Sequence, residues 1–354
     1  MEIQFDKNMV IETELNKPDI KFYDIDSEPF KIYGVWREGE SYRRIPQNIA
    51  DTISEGIKFG CRKAAGGRVR FVTDSPYVAI KVEYGIYELV TAMANTGTVG
   101  FDMYADDKFV NSYRPPIRFC GEDFESVIDI AGERKERLIT INMPLYSEVK
   151  RMYIGLSSDA KIWHAPDYKH EIPVVFYGSS ITNGAGASRP GATYEARLSH
   201  KLDVNFHCLG FGGLAKAEPE MAEYVAGLKM CAFVYDYDYN AKTVEYLAET
   251  HERMFKTVRE KNPNLPIIII SRPNVGPETE ARFEVIKRTY DNAIAAGDKN
   301  VWLIKGTEFY SEEHGVDFTV DGTHPTDLGY YFMSEGICPI LSKILKNRDE
   351  LTKS

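Results

Sequence analysis

The hydrophobic pattern of this chain changes its period once, near residue 165. From about Phe30 to Ile162, short runs alternate apolar and polar residues and are separated by turn residues. Examples of these runs are residues 68–72, 77–82, 100–104 and 138–142. Alternation with a period of two places successive side chains on opposite faces of a strand. Short strands at this spacing, with almost no helical periodicity, predict an all-β sandwich.

The second part of the chain has continuous apolar runs that alternate with amphipathic segments. The apolar runs predict buried strands near residues 173–178, 204–208, 231–237, 266–270 and 301–304. The amphipathic segments predict helices near residues 192–202, 218–228, 242–261, 278–296 and 325–345. Buried strands interleaved with helices predict an α/β fold with a doubly wound, parallel, five-stranded sheet.

The length of 354 residues is enough for two domains, each with its own core. The polar stretch at residues 165–170 separates the two patterns. We therefore predict an N-terminal β-sandwich domain over residues 1–165 and a C-terminal α/β domain over residues 171–354.

The charge balance limits the partners of the chain. It has 43 Lys and Arg residues against 53 Asp and Glu residues, a net charge of -10. An acidic protein repels phosphate backbones and anionic membrane surfaces, so we expect no nucleic-acid partner. Apolar stretches stay below the roughly 18 residues that a membrane helix needs, so we expect no membrane partner. The sequence leaves homo-oligomer formation open.

The first residues and the cysteines bear on the cellular compartment. Met1–Lys7 shows no basic segment followed by an apolar run, which predicts no secretory leader and a cytoplasmic protein. A sequence from which a leader had been trimmed would look the same. The five cysteines are odd in number and scattered, and three lie in apolar segments, which favours buried reduced thiols.

Two short segments carry candidate chemistry. Ser180 lies in a Gly-Ser-Ser turn that follows the apolar run at residues 174–176, so it is expected at the carboxyl end of a buried strand. Asp321 and His324 are three residues apart, close enough for one loop before a helix to present both. A serine hydroxyl needs an adjacent base, which an imidazole provides, and a carboxylate can orient that imidazole. The three residues therefore predict a catalytic Ser-His-Asp triad.

The C-terminal part, from about Glu171 to Leu345, resembles the SGNH (GDSL-type) hydrolases, whose four sequence blocks contribute Ser, Gly, Asn and His in that order. The matching blocks are residues 178–184, 209–213, 236–240 and 321–325. The resemblance implies a flavodoxin-like sheet with Ser180 as the nucleophile. It also implies an oxyanion hole made by the backbone N–H groups of Ser180 and Gly213 and the side-chain amide of Asn240. Two alternatives stay open, since Gly213 could simply begin a helix and Asn240 could be a strand-end turn residue.

The N-terminal part adds a second match, and three positions depart from the family pattern. Residues 100–104 resemble the Gly-x-Asp-Leu-Tyr motif of a jelly-roll-like β-sandwich module that precedes this hydrolase type. Ser179 stands where many members carry Asp, Gly212 replaces the usual Ser or Asn, and Asp238 replaces a common Gly.

A glycine-rich turn at residues 184–191 allows a phosphate-binding alternative, which fails in detail. The turn lacks a Gly-Lys-Ser/Thr sequence, and residues 206–208 do not end the second strand with the acidic residue that a dinucleotide site needs. No Cys/His cluster has metal-ligand spacing. We therefore expect no cofactor and no metal.

The resemblance favours a serine esterase that removes acetyl groups from carbohydrate esters, such as oligosaccharides derived from plant polysaccharides. The polar residues Asn183, Ser188 and Arg189 near Ser180 favour a short acyl group on a polar scaffold. One alternative is a lipase or thioesterase, which should have an apolar acyl channel. The other is a catalytically inert carbohydrate-binding protein.

Overall fold

The computed structural model describes residues 15–116, 119–310 and 315–353. In the N-terminal region, residues 15–165, the helices are α1 (Gln47–Ile53), α2 (Glu55–Gly60) and α3 (Asn95–Thr98). The strands of this region are β1 (Ile20–Asp24), β2 (Lys31–Tyr33), β3 (Trp36–Glu38), β4 (Ser41–Arg43), β5 (Arg68–Thr73), β6 (Tyr77–Tyr87), β7 (Phe101–Ala105), β8 (Lys108–Tyr113), β9 (Phe124–Asp129), β10 (Arg137–Asn142), β11 (Ser147–Ser157) and β12 (Ile162–Trp163).

Two antiparallel sheets share one hydrophobic core in this region. The first has the order β1-β11-β6-β9, and the second has the order β12-β5-β10-β7-β8 with β2 also paired to β5. Alternate residues of β6 and β10, such as Ile80 and Ile139, are fully buried in that core. The predicted β-sandwich is confirmed as an antiparallel β-rich region, although the region also contains the short helices α1, α2 and α3. However, β1 begins ten residues before the expected start, because all five of its residues are half-buried and give no clear alternation.

The C-terminal region, residues 170–353, alternates strands and helices as predicted. Its strands are β13 (His170–Gly178), β14 (Val204–Gly210), β15 (Ala232–Asp236), β16 (Ile267–Ile270) and β17 (Val301–Ile304). Its helices are α4 (Ser180–Asn183), α5 (Tyr194–Leu202), α6 (Pro219–Gly227), α7 (Val244–Lys261), α8 (Thr279–Ala295) and α9 (Asp327–Lys353).

These five strands form one parallel sheet with the order β14-β13-β15-β16-β17. Both faces are covered. Val175 and Tyr177 of β13 belong to one core cluster, whereas Val174 and Phe176 belong to the cluster on the opposite face. The predicted doubly wound five-stranded sheet is confirmed, since burial on both faces is what makes such strands continuously apolar.

Helix α9 is longer than the sequence pattern predicted. It continues to Lys353, eight residues beyond the expected end at Leu345. The apolar stripe fades after Leu345, but residues 346–353 contain no Gly or Pro to end a helix. The expected boundary therefore marked the end of the buried face, not the end of the helix.

The outer edge of β14 is covered by two buried arginines of the N-terminal region. Because β14 is the end strand of the sheet, the carbonyls on its outer side have no neighbouring strand to bind. Arg44 donates hydrogen bonds to the carbonyls of Cys208 (3.2 Å) and Gly210 (2.7 Å). Arg68 donates to the carbonyl of Phe206 at 3.2 Å. The two guanidinium groups thus take the place of a sixth strand.

Four of the five cysteines lie where the sequence predicted them, in the protein interior. The five cysteines, all of which lie in the described residues, form no disulfide bond; four are buried, whereas Cys120 is exposed. The expectation of buried thiols is therefore wrong for Cys120, which lies between β8 and β9.

In the part of the chain that the structure describes, no helix is long and apolar enough to cross a membrane.

Candidate active site

Ser180 is the first residue of α4, directly after the tight turn that ends β13. Gly178 is required there, because a Cβ atom on it would lie 2.1 Å from Thr182 Oγ1 and 2.3 Å from the Asp236 carbonyl oxygen. The Ser179 hydroxyl caps the helix by accepting a hydrogen bond from the Ile181 N–H at 3.2 Å. The first N–H groups of a helix have no intrahelical acceptor, so the amide of Ser180 is available to a ligand.

The structure brings the three predicted triad residues together. Ser180 Oγ lies 2.9 Å from His324 Nε2. On the other side of the imidazole, His324 Nδ1 lies 2.7 Å from Asp321 Oδ2. A proton on Nδ1 donated to the carboxylate leaves the lone pair of Nε2 for the serine hydroxyl. This geometry suits proton abstraction from Ser180.

The loop itself keeps Asp321 ionised. Asp321 Oδ1 accepts hydrogen bonds from the backbone N–H groups of Thr323 (3.0 Å) and His324 (2.9 Å). Burial acts to raise the pKa of Asp321, but these hydrogen bonds and the His324 ring outweigh it and hold the pKa below the usual value. The carboxylate is therefore charged wherever the imidazole can act as a base.

The triad loop, residues 321–324, is fixed by a residue that the sequence did not single out. Asn274, after β16, donates its side-chain amide to the carbonyls of Gly322 (2.5 Å) and Thr323 (3.1 Å). A single asparagine 48 residues before the loop carries no sequence signal for this contact. It holds the backbone between Asp321 and His324 from outside the loop.

The two other predicted residues, Gly213 and Asn240, come from the turns after β14 and β15. Asn240 Nδ2 donates a hydrogen bond to the carbonyl of Phe211 at 2.6 Å, which joins the two turns. Gly213 has a left-handed φ of 69°, and no described atom lies within 4 Å of where its Cβ would be. The alternative in which Gly213 begins a helix is wrong, because α6 begins at Pro219.

The departure from the family pattern at Asp238 has a structural cause. Its buried carboxylate accepts a hydrogen bond from the backbone N–H of Arg272 at 2.9 Å and from the side chain of Arg272 at 3.0 Å. The Arg282 guanidinium lies 3.3 Å from the same carboxylate. A glycine could not make these ion pairs, which hold the turn that carries Asn240.

A second carboxyl group lies buried behind the nucleophile. Asp236, the last residue of β15, accepts a hydrogen bond from Thr182 Oγ1 at 3.1 Å. Burial raises the pKa of Asp236 to about 8, although the hydrogen bonds from Thr182 and Tyr194 oppose the rise. Burial therefore favours the protonated, neutral form of this group.

The three polar residues near Ser180 that favoured a short acyl group make hydrogen bonds or ion pairs within the protein. Asn183 is buried and donates its amide to the carbonyl of Leu145 at 3.0 Å. The Ser188 hydroxyl donates to Asp327 at 2.5 Å, and Arg189 pairs with Asp102 at 2.7 Å. The polar groups of Asn183 and Arg189 therefore bind the N-terminal region, and the short acyl group that these residues favoured stays a prediction.

The motif at residues 100–104 supplies the groups of the N-terminal region that bind the 184–191 loop. The buried carboxylate of Asp102 binds Arg189 and also accepts from the Gly191 N–H at 2.8 Å. The Tyr104 hydroxyl donates to the Gly191 carbonyl at 3.1 Å. Asp102 and Tyr104 therefore fix the far end of the 184–191 loop, which starts at the nucleophile helix and reaches Asp327 through Ser188.

In the described residues, no group of three or more His, Cys, Asp or Glu side chains could hold a metal ion. A cavity of about 550 Å³ lies between the carboxyl ends of α7 and α8. It opens at the end of the sheet opposite Ser180, and none of its lining residues belongs to the site described above.

Two family models match the chain, one in each of its two regions. A family model described as the GDSL-like lipase/acylhydrolase family matches residues 171–342. A second model, GxDLY, described as the N-terminus of SGNH-hydrolase-type esterases, matches residues 20–162. No sequence among the curated proteins matches significantly.

Three solved structures are similar to this protein over nearly the whole chain. A GDSL-like lipase from Bacteroides ovatus is 31% identical with a TM-score of 0.82, covering 92% of this chain and 98% of its own. The salicylyl-acyltransferase SsfX3 from a tetracycline biosynthetic pathway is 17% identical (TM-score 0.75, 90% and 96% covered). The acetyl xylan esterase Est2A from the rumen bacterium Butyrivibrio proteoclasticus is 14% identical (TM-score 0.62, 93% and 98% covered).

Proposed function

The chain belongs to the GDSL-like lipase/acylhydrolase family of esterases, and we propose that it removes short acyl groups, acetyl above all, from carbohydrate esters. The observation that carries this proposal is the contact between Ser180 Oγ and His324 Nε2 at 2.9 Å, continued by His324 Nδ1 to Asp321 at 2.7 Å. A hydroxyl, an imidazole and a carboxylate in this order form an acyl-transfer site.

In the proposed reaction, His324 Nε2 takes the proton of Ser180 as Oγ attacks the ester carbonyl carbon. The imidazolium then returns that proton to the leaving alcohol, so the C–O bond breaks and an acyl-enzyme remains. Water repeats the sequence, and the products are a carboxylic acid and free Ser180. Asp321 stabilises the imidazolium in both halves of the reaction, which its hydrogen-bonded and ionised state allows.

The tetrahedral intermediates carry a negative charge on the former carbonyl oxygen. We assign its stabilisation to the backbone N–H groups of Ser180 and Gly213 and to the second N–H of the Asn240 amide. The first N–H of that amide is held by the Phe211 carbonyl, which fixes the direction of the other. Donors aimed in advance at a developing charge are the main source of catalysis in this kind of site.

The proposed substrate class is supported by observations other than the triad geometry. A fold shared with an acetyl xylan esterase and with family two carbohydrate esterases supports a carbohydrate ester. A fatty chain needs an apolar channel, whereas the loop that presents His324 to Ser180 carries the polar residues Asp321 and Thr323. These features support a short acyl group over the lipase and thioesterase alternatives.

The test is an acyl-length series with nitrophenyl acetate, butyrate and octanoate, followed by acetate release from acetylated xylan, mannan and pectin oligomers. We expect kcat/KM to fall steeply from acetate to octanoate, and acetate to appear from at least one glycan. The Ser180→Ala variant is the control and should release nothing above background. A preference for octanoate would move the assignment to a lipase, and inactivity on every ester would leave a carbohydrate-binding protein.

A further inference from the structure

One aromatic residue of the N-terminal region, Tyr146, lies near the nucleophile helix α4. Tyr146 lies between β10 and β11, and its backbone N–H donates to the Thr98 carbonyl at 3.1 Å. The preceding Leu145 is held on two sides, by the Gly97 carbonyl at 3.1 Å and by the Asn183 amide at 3.0 Å. Since Asn183 belongs to the nucleophile helix α4, Tyr146 is fixed relative to Ser180.

The hydroxyl of Tyr146 and the side chain of Ser180 flank the same open point. A Cβ atom built on Gly212 would lie 3.2 Å from Tyr146 Oη and 3.5 Å from Ser180 Cβ. Gly212 is the residue before Gly213, whose amide is the proposed oxyanion donor. The absence of a side chain at Gly212 therefore leaves the phenol facing the oxyanion side of the nucleophile.

The surroundings leave Tyr146 with a proton to donate. Burial raises the pKa of Tyr146 well above its usual value, while the nearby Asn183 side chain acts in the opposite direction. The phenol therefore keeps its proton and can donate it. The ring, 5% exposed, lies under the Lys63 ammonium at 5.0 Å, and Lys63 is paired with Glu88.

We propose that Tyr146 is a further catalytic residue, whose hydroxyl donates a hydrogen bond to the oxyanion formed when Ser180 attacks the ester. This inference rests on the proposed function. It makes the active site composite, because the nucleophile, base and three donors come from the C-terminal region and the fourth donor comes from the N-terminal region.

The first experiment compares Tyr146→Phe with Tyr113→Phe on nitrophenyl acetate. Tyr113 is a matched control, since it is a buried tyrosine of the same region whose hydroxyl donates only within that core, to the Val78 carbonyl at 3.1 Å. We expect Tyr146→Phe to lower kcat by about tenfold to a hundredfold with little change in KM, because an oxyanion donor acts in the transition state. Tyr113→Phe should keep the kcat of the unmodified protein.

The second experiment places a side chain in the open space at Gly212. Gly212→Ala would place a methyl group between the phenol and Ser180, and the backbone of Gly212 is not left-handed, so alanine is compatible with it. We expect Gly212→Ala to lower kcat, and to lower it much less when Tyr146 is already Phe, because both changes remove one interaction.

The results separate this inference from the esterase assignment. Full kcat in Tyr146→Phe, or a loss seen only as a higher KM for sugar acetates, would overturn the oxyanion role. Equal losses from Gly212→Ala in both backgrounds would overturn it as well. Ser180→Ala tests the esterase mechanism independently, since its inactivity together with an unaffected Tyr146→Phe would leave the proposed function intact and reject Tyr146.

Discussion

At the scale of single residues, Ser180 and His324 form one proton-transfer unit. The hydroxyl proton has an acceptor in the imidazole nitrogen 2.9 Å away, so losing either side chain removes the same step. We expect Ser180→Ala and His324→Ala each to lower kcat by about 10³-fold or more, and the double variant to be scarcely worse. Steady-state kinetics on nitrophenyl acetate would measure this. Near-normal turnover in either single variant would contradict the mechanism.

Asp321 should contribute less than these two residues. Asp321→Asn keeps the shape of the loop, but an amide in place of the carboxylate favours the wrong imidazole tautomer and no longer balances the imidazolium. We expect kcat to fall by about tenfold to 10⁴-fold, with KM little changed. An unchanged rate would mean that Ser180 and His324 work as a dyad.

Asp236 predicts an unusual pH dependence of stability. Its pKa is about 8 in the folded protein, well above the value of 3.8 expected in an unfolded chain. The folded state therefore binds this proton more tightly, and the resulting stability is full below about pH 4 and is lost as the pH rises through 8. We expect Asp236→Asn to lose less thermal stability between pH 6 and pH 9 than the unmodified protein does. Melting temperatures that fall in parallel in the two proteins would contradict this. Glu195, another buried acid of raised pKa, is present in both proteins and contributes equally to each.

At the scale of elements, the 184–191 loop depends on the strand β7 of the other region. Asp102→Ala leaves Arg189, 18% exposed, without its carboxylate and leaves the Gly191 amide unpaired. Breaking a buried pair in this way costs about 3–5 kcal/mol, so we expect a clear fall in melting temperature. Activity should fall too, because Ser188 joins this loop to Asp327 just after the triad loop.

Asp159→Ala is the control for that experiment. Asp159 also pairs with an arginine, Arg134 at 2.6 Å, in the same region, but this pair lies on the surface. We expect little change in melting temperature or activity from its removal. Equal effects of the two substitutions would mean that the 184–191 loop does not depend on Asp102.

The sequence predicted those elements and residues whose signals are local. Strands β14 to β17 were expected within two residues of their observed ends, because a strand buried on both faces is continuously apolar. Ser180, Asp321 and His324 could be proposed because each lies in a short segment of recognisable type. By contrast, the contact between Asp102 and Arg189 joins residues 87 positions apart, and nothing in either segment names the other. Tyr146 was missed for the same reason.

At the scale of the whole molecule, we expect the two regions to fold and function together. If residues 171–354 are expressed alone, the edge of β14 loses Arg44 and Arg68, and its carbonyls become exposed. An uncovered strand edge pairs readily with other chains, so this half should be poorly soluble or less active on sugar acetates. Solubility and kinetics of the half compared with the full chain would test this. A soluble half with unchanged kinetics on nitrophenyl and sugar acetates would contradict it, and the predicted division at residues 165–171 would then separate two independent domains.

The arginine cover on β14 also sets a condition for engineering. A chimera that joins this catalytic half to a sandwich from another protein must supply guanidinium groups opposite the carbonyls of Phe206, Cys208 and Gly210. Sequence similarity of the transplanted sandwich is secondary to that requirement. A graft chosen only for its glycan preference would leave the strand edge bare, and its failure would be read wrongly as a failure of the catalytic half.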